Sequence, residues 1–255
     1  MKIVVCIKQV PSTNDVKIDP QTHNLVRSAD GVINPFDKNA IEAALKLRDQ
    51  TNGEVILLSM GPESYRESLL EGLAMGADSA YLLSSRALGG ADTLATGYPL
   101  SQAIQKIGDV ELVLFGRQSV DADTGQVGPI VAEYLNVPQV TFAEAIDLTE
   151  DHHLIGKRRL DAAEQEVEVE LPAAVTVRSE MNQPRYATPR QIQKSFEKPL
   201  TVWTEQDLDL DPERIGLAGS PTQVTQVYAP AAAKKRVTML TGTPEHAVQE
   251  LLQSL

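Results

Sequence analysis

The 255-residue chain is poor in cysteine, in histidine, in long apolar runs and in clustered positive charge, and each scarcity removes a class of function. The single cysteine, Cys6, excludes an internal disulfide and any multi-cysteine zinc or iron–sulfur site. The four histidines, His23, His152, His153 and His246, lack helical metal spacing. No apolar stretch approaches the roughly 18 residues of a membrane helix. With 23 Lys and Arg against 35 Asp and Glu, the formal charge is −12, and no long basic run interrupts it. Nucleic acid is thereby excluded as the main partner. The phosphate motifs GxGxxG and GxxxxGK followed by Ser or Thr are also missing. The opening MKIVVCIKQV enters a strand pattern at once, leaving no room for a signal or transit peptide, so a reducing cytoplasm is expected.

What is there is 42% apolar residues over a length that buries a large core, hence a globular chain of one large domain with extensions. Lys2 to Ile7, Glu54 to Met60, Ala80 to Leu83 and Glu111 to Phe115 are short Val-, Ile- and Leu-rich runs suited to strands buried on both faces. Helical patterns separate them. Asn34-Pro35-Phe36-Asp37 precedes Ile41, Ala44, Leu45 and Leu47, with Asp37 the expected cap and Gly53 beyond the end. Pro62 opens a second helix, with Leu69, Leu70 and Leu73 inward and Gly76 stopping it. Asp92 and Thr93 cap a third, which carries Leu94, Leu100, Ile104 and Ile107 inward to Gly108. This alternation implies right-handed parallel crossovers, so roughly the first 140 residues read as a doubly wound, Rossmann-like α/β sheet.

After Pro138 the pattern changes to a small antiparallel extension. Leu148 to Leu160, Glu166 to Leu171 and Ala173 to Arg178 read as short strands, and Val167, Val169 and Leu171 alternate with glutamates. From about Ser179 the chain is punctuated by Pro184, Pro189, Pro199, Pro212, Pro221, Pro230 and Pro244. It shows one convincing helix, Pro244 to Leu252, capped by Thr243. A tail with so little core of its own is expected to lie along another chain.

In a doubly wound sheet, ligands sit off the carboxyl ends of the strands. Five segments fall at such ends: Cys6 to Pro11, Asn34 to Asp37, Ser59 to Pro62, Gly89 to Thr93 and Gly116 to Gly128. Helix N-termini there present unpaired N–H groups, so the natural guest is a phosphate or pyrophosphate. The run GRQSVDADTGQVGP, from Gly116, admits three readings: a metal site, a phosphate cradle or a polar loop. Gly116 releases the chain sharply from its strand, Gly125 and Gly128 allow close backbone approach, and Thr124 and Gln126 offer neutral hydrogen bonds. Asp121 and Asp123 stand two apart with no third carboxylate nearby, a thin donor set for Mg²⁺. Cys6 reads as a small core residue, and GGADT by itself is a turn and a helix cap.

The stretches VVCIKQVP (4–11), NPFDKNAIEAAL (34–45), MGP (60–62), AMGAD (74–78), LVLFGRQSVDADTGQVGPIVAEYL (112–135), LPAAVTV (171–177) and NQPRYATP (182–189) together resemble the beta subunit of electron-transfer flavoproteins. The resemblance spans residue 2 to about 200. It implies an adenine-nucleotide-binding fold and a heterodimer with an alpha subunit. It also implies nucleotide contacts from Cys6, from Asn34, Pro35, Phe36 and Asp37, and from Met60. The loop Gly116, Arg117, Gln118, Ser119, Val120, Asp121, Ala122, Asp123, Thr124, Gly125, Gln126 and Val127 is carried over likewise. The family has a branch with structural AMP and an electron-bifurcating branch with FAD. GGADT at 89–93 resembles the latter, which implies FAD contacts from Gly90, Asp92 and Thr93, NADH as donor, and ferredoxin or flavodoxin as one acceptor.

The resemblance further implies a domain division of 1–178 for the α/β unit, 179–200 for a loop that docks a flavin dehydrogenase through about 182–198, and 201–255 for an arm on the alpha subunit. Around that loop Arg178, Arg185, Arg190, Lys194 and Lys198 outnumber Glu180 and Glu197, a basic patch on an acidic chain, with Arg185 and Arg190 expected to meet the partner. Members commonly carry Gly-Gly where Ala162-Ala163 stand and Leu where Pro189 stands. Two other classes remain: an ATP-using enzyme, whose SGGxDS signature GGADT lacks, and a nucleotide-binding module without redox activity.

Overall fold

The computed structural model describes residues 1–12, 17–18, 25–26, 31–225 and 239–254; His23 and Pro230 lie outside the described residues. The strands are β1 Lys2–Cys6, β2 Gln9–Pro11, β3 Lys17–Ile18, β4 Leu25–Val26, β5 Gly31–Ile33, β6 Glu54–Met60, β7 Ser79–Leu83, β8 Leu112–Gly116, β9 Gln139–Leu148, β10 His153–Arg159, β11 Glu164–Glu170, β12 Ala173–Val177 and β13 Leu200–Trp203. The helices are α1 Pro35–Thr51, α2 Arg66–Met75, α3 Thr93–Ile107, α4 Val127–Leu135, α5 Pro189–Ser195 and α6 Pro244–Ser254.

Nine strands form one sheet in the order β11-β10-β9-β12-β8-β1-β6-β7-β13. Seven are parallel, from β9 across to β13, while β10 and β11 add an antiparallel edge. Two short antiparallel pairs, β2 with β5 and β3 with β4, stand apart. Successive strand residues point to opposite faces, so Ile3 and Val5 join the α1 and α2 layer while Val4 and Cys6 join the α3 and α4 layer. Both layers are closed. That is why β1 and β8 carry apolar residues at nearly every position rather than alternating ones.

Five expectations need correction. The chain after Pro138 enters β9 at Gln139, and Leu148 to Leu160 is not one strand: β9 ends at Leu148 and His152, at φ 59°, turns the chain into β10. β12 is not part of the antiparallel extension but lies parallel between β8 and β9, as its five buried residues require. Leu94 is 40% exposed, because it sits in the first turn of α3 before the helix reaches the sheet.

Asp37 does not cap α1. Asn34 holds the cap position and Pro35 begins the helix, leaving the Asp37 side chain to reach across to other strands. The tail also holds more structure of its own than one helix. Thr188 and Gln191 form a capping box that starts α5, and β13 pairs with β7 as the sheet edge. Leu208, Leu210 and Ile215 then pack into the α3 and α4 layer.

Residues Met1–Val224 form one compact unit and Thr225–Leu255 another. In the second, α6 sets Val248, Leu251 and Leu252 at helical spacing on one stripe. Among the described residues no helix is long and apolar enough to cross a membrane.

Candidate functional site: a cleft at the carboxyl rim

From β1 the chain passes outward through β6 and β7, then returns to lay β8 on the other side of β1. Strand order therefore reverses between β1 and β8, the point where such sheets open a crevice at their carboxyl ends. A cleft of about 1310 Å³ begins there, against Cys6 and Gly116, and runs to the loop after β7 and the start of α3. All five loops expected at this rim line it.

At the switch point a polar cluster fixes the loops to one another. Asp37 is buried and accepts hydrogen bonds from the Lys8 amide at 2.7 Å, from Asn34 Nδ2 at 2.9 Å and from the Gly116 amide at 3.2 Å. Burial raises its carboxyl, these donors pull it only partly back, and it settles at about 7. Gly116 is required here: a Cβ would stand 2.3 Å from Asp37 Oδ1. Burial, and then the nearby Asp37, push the Cys6 thiol up, so it is an inert apolar contact in the cleft wall.

Asn34 clamps the long loop at both of its amide atoms. Its Nδ2 donates to the Gln118 carbonyl at 2.8 Å and its Oδ1 accepts the Val120 amide at 3.2 Å. Lys8 Nζ reaches Asp121 at 2.7 Å, and Gln118 Nε2 donates to Asp123. Asp121 is partly buried, which raises its carboxyl, but hydrogen bonding and charge from Lys8 outweigh this and hold it low. Gly125, at φ 61°, makes the left-handed turn that brings Thr124 and Gln126 to the cleft. Gly128 also lines the cleft, and packing holds it to glycine: a Cβ there would meet Thr176 at 2.5 Å.

At the other end, Asp92 caps α3 by accepting the Leu94 and Ala95 amides, both at 3.0 Å. Its second oxygen accepts Thr222 Oγ1 at 2.8 Å and the Thr222 amide at 3.1 Å, while its own amide donates to Ser220 Oγ at 2.9 Å. Thr93 Oγ1 donates to Gln126 Oε1 at 2.9 Å, joining the two ends of the cleft.

Of the residues singled out in sequence, Cys6, Asn34, Asp37, Met60, Gly90, Asp92 and Thr93 face the cleft, as do Gly116–Ser119, Ala122 and Thr124–Val127. Pro35, Phe36, Val120, Asp121 and Asp123 do not, though Phe36 carries the Arg117 guanidinium at 5.1 Å. Sequence reasoning missed Ser84, Ser85 and Arg86, which also line it. The signal was present: they follow a parallel strand and so face the same rim. Thr222 and Val224 carried no such signal, because only the folded tail brings them there.

Arg185, expected to meet the partner, is half-buried and ion-paired within the chain. Its guanidinium meets buried Glu42 on α1 at 2.7 and 3.1 Å, and Asn39 Nδ2 donates to the Asn182 carbonyl at 2.8 Å. Tyr186, 92% exposed, stands out beyond this anchor.

Residues 22–208 match the electron transfer flavoprotein domain. The chain is 47% identical to the caffeyl-CoA reductase-Etf complex subunit CarD of Acetobacterium woodii, covering all of this chain and 97% of that protein. It is 43% identical to an electron transfer flavoprotein subunit beta of Thermoanaerobacterium thermosaccharolyticum, over all of this chain and 98% of that one. It is also 39% identical to protein FixA of Azorhizobium caulinodans, over 94% and 88% of the two chains.

Proposed function

Because this chain belongs to the beta-subunit family of electron transfer flavoproteins, we propose that it pairs with an alpha subunit in the cytoplasm and binds FAD along the rim cleft. There it accepts hydride from NADH. One electron goes to a low-potential carrier, ferredoxin or flavodoxin, and the other passes through an FAD of the alpha subunit to a flavin dehydrogenase. The relative named as part of a caffeyl-CoA reductase-Etf complex supports this reading.

The observation that carries it is the length of the cleft. It runs from the switch point to Gly90, Asp92 and Thr93, and its volume of about 1310 Å³ exceeds the ~300–1,000 Å³ of ordinary small-molecule pockets. A mononucleotide such as AMP would fill only the switch-point end. The donor set fits an anionic dinucleotide as well. Asp37, Asp92, Asp121 and Asp123 are each satisfied by protein donors, which leaves amides and the Arg117 guanidinium to meet the resident ligand.

Bound there, a flavin supplies two-electron acceptance from a hydride donor and release of the electrons one at a time. The chain's own residues position and enclose it. Asn34 and Asp37 hold the 116–127 loop against β1, Gly125 turns backbone amides toward the phosphates, and Thr93 lies at the positive end of α3. No side chain of the cleft is asked to act as a general acid or base. We further place dehydrogenase docking on 182–198 and the contact with the alpha subunit on the arm 201–255.

A conventional beta subunit with structural AMP is the second reading, favoured by relatives named only electron transfer flavoprotein subunit beta. Extraction of nucleotides from the purified heterodimer separates the two. Two FAD per heterodimer is expected; one FAD with one AMP overturns the bifurcating assignment.

A further inference from the structure

Three cationic side chains line the cleft, and two already have partners. Lys8 Nζ lies 2.7 Å from Asp121. Arg117 stacks over Phe36 and its Nε donates to Gln118 at 2.9 Å. The exposed guanidinium of Arg86 has no ion pair, hydrogen bond or ring partner among the described residues. Its turn is nonetheless set, since Ser85 Oγ accepts the Ala87 amide at 3.1 Å.

Arg86 is also in a distinctive place. It follows β7, two strands from β1 and three from β8. Neighbouring strands lie about 4.8 Å apart, which puts this loop about 10–15 Å from the switch point. An adenylate seated against Asn34 and Gly116 would meet buried and half-buried groups, whereas Arg86 is exposed. Enclosed contacts suit a resident cofactor. A ligand that enters and leaves is better served by an exposed, uncompensated cation, above all on a chain of formal charge −12 that repels anions.

We propose that Arg86 binds the diphosphate of the exchanging nicotinamide dinucleotide at the outer end of the cleft. Its planar fork pairs with two phosphate oxygens at once, which fixes the dinucleotide's direction along the cleft as well as its affinity. The inference rests on the assignment of NADH as hydride donor.

The test uses the complete heterodimer and NAD⁺, which binds without reducing the flavin. Calorimetric titration should show Arg86→Ala weakening NAD⁺ binding about tenfold or more, with Arg86→Lys recovering part of it. Flavin content should stay at the wild-type value, the KM for NADH should rise in step, and added salt should weaken wild-type binding more than that of the variant. Unchanged NAD⁺ affinity in Arg86→Ala overturns the proposal. So does flavin loss at unchanged affinity, which would assign Arg86 to the resident cofactor. A wild-type heterodimer that neither binds NAD⁺ nor is reduced by NADH overturns the functional reading first, and this inference with it.

Discussion

Asp37 on α1 accepts the Gly116 amide of β8 at 3.2 Å, joining two elements 79 positions apart in sequence. The same carboxyl accepts the Lys8 amide after β1, so one buried group ties together the strands on either side of the switch point. The cleft's inner end therefore depends on the absence of a side chain at Gly116.

In Gly116→Ala, a Cβ would lie 2.3 Å from Asp37 Oδ1 and 2.7 Å from the Phe36 backbone. We expect a loss of about 1–3 kcal/mol in stability and reduced nucleotide content in the purified heterodimer. Denaturant melts and nucleotide extraction measure both, and a variant with full content and stability would show that the contact relaxes freely.

Asp37 also sets a pH dependence. Burial raises its carboxyl from 3.8 to about 7, so between these values the native chain holds a proton that the unfolded chain has released. Its contribution is fully present below the unfolded value and is lost as pH rises through about 7, a span on the order of 4 kcal/mol. Asp37→Asn removes the proton while keeping the shape. Its stability should fall less steeply than wild type between pH 5 and pH 8 in urea titrations; parallel profiles would count against the raised carboxyl.

Arg185→Ala leaves the Glu42 carboxylate, 6% exposed, without its cationic partner and with only the backbone amide of residue 185 as donor. A cost of about 3 kcal/mol is expected. Tyr186→Ala removes a side chain that the fold does not use. It should leave the melting temperature alone and slow electron transfer to the dehydrogenase, measured at subsaturating partner; an unchanged rate moves docking away from this loop.

Asp92→Ala removes a helix cap worth about 1 kcal/mol and also frees Thr222. The melting temperature should drop by about 2–4 °C for each kcal/mol lost, and limited proteolysis should cut sooner near residues 220–224. Asp92→Asn retains an acceptor for the cap and should fall between. Equal protease sensitivity in all three chains would show that Ser220 and Thr222 are held by packing alone.

Much of this was legible in the linear chain. Apolar runs such as Lys2–Cys6 and Leu112–Phe115 announce doubly covered strands, and Asp92 before Thr93 announces a cap that the fold uses. The rim loops follow once strands and helices alternate. Asp37 was misread because a carboxylate near a helix start satisfies the local capping rule equally well, and nothing local tells it that Lys8 and Gly116 will be closer.

By itself the sequence determined the parallel core, the rim and the glycine-rich loop that closes it, since each rests on periodicity or on residues adjacent in the chain. Only the tertiary structure decided that β12 inserts beside β8, that Arg185 turns inward to Glu42, that Asp92 holds the returning tail, and that Arg86, of the cleft's cations, finds no partner among the described residues. The physical reason is the same in each case. Burial and pairing are set by which distant groups arrive at hydrogen-bonding distance, and no spacing rule within one segment encodes that arrival.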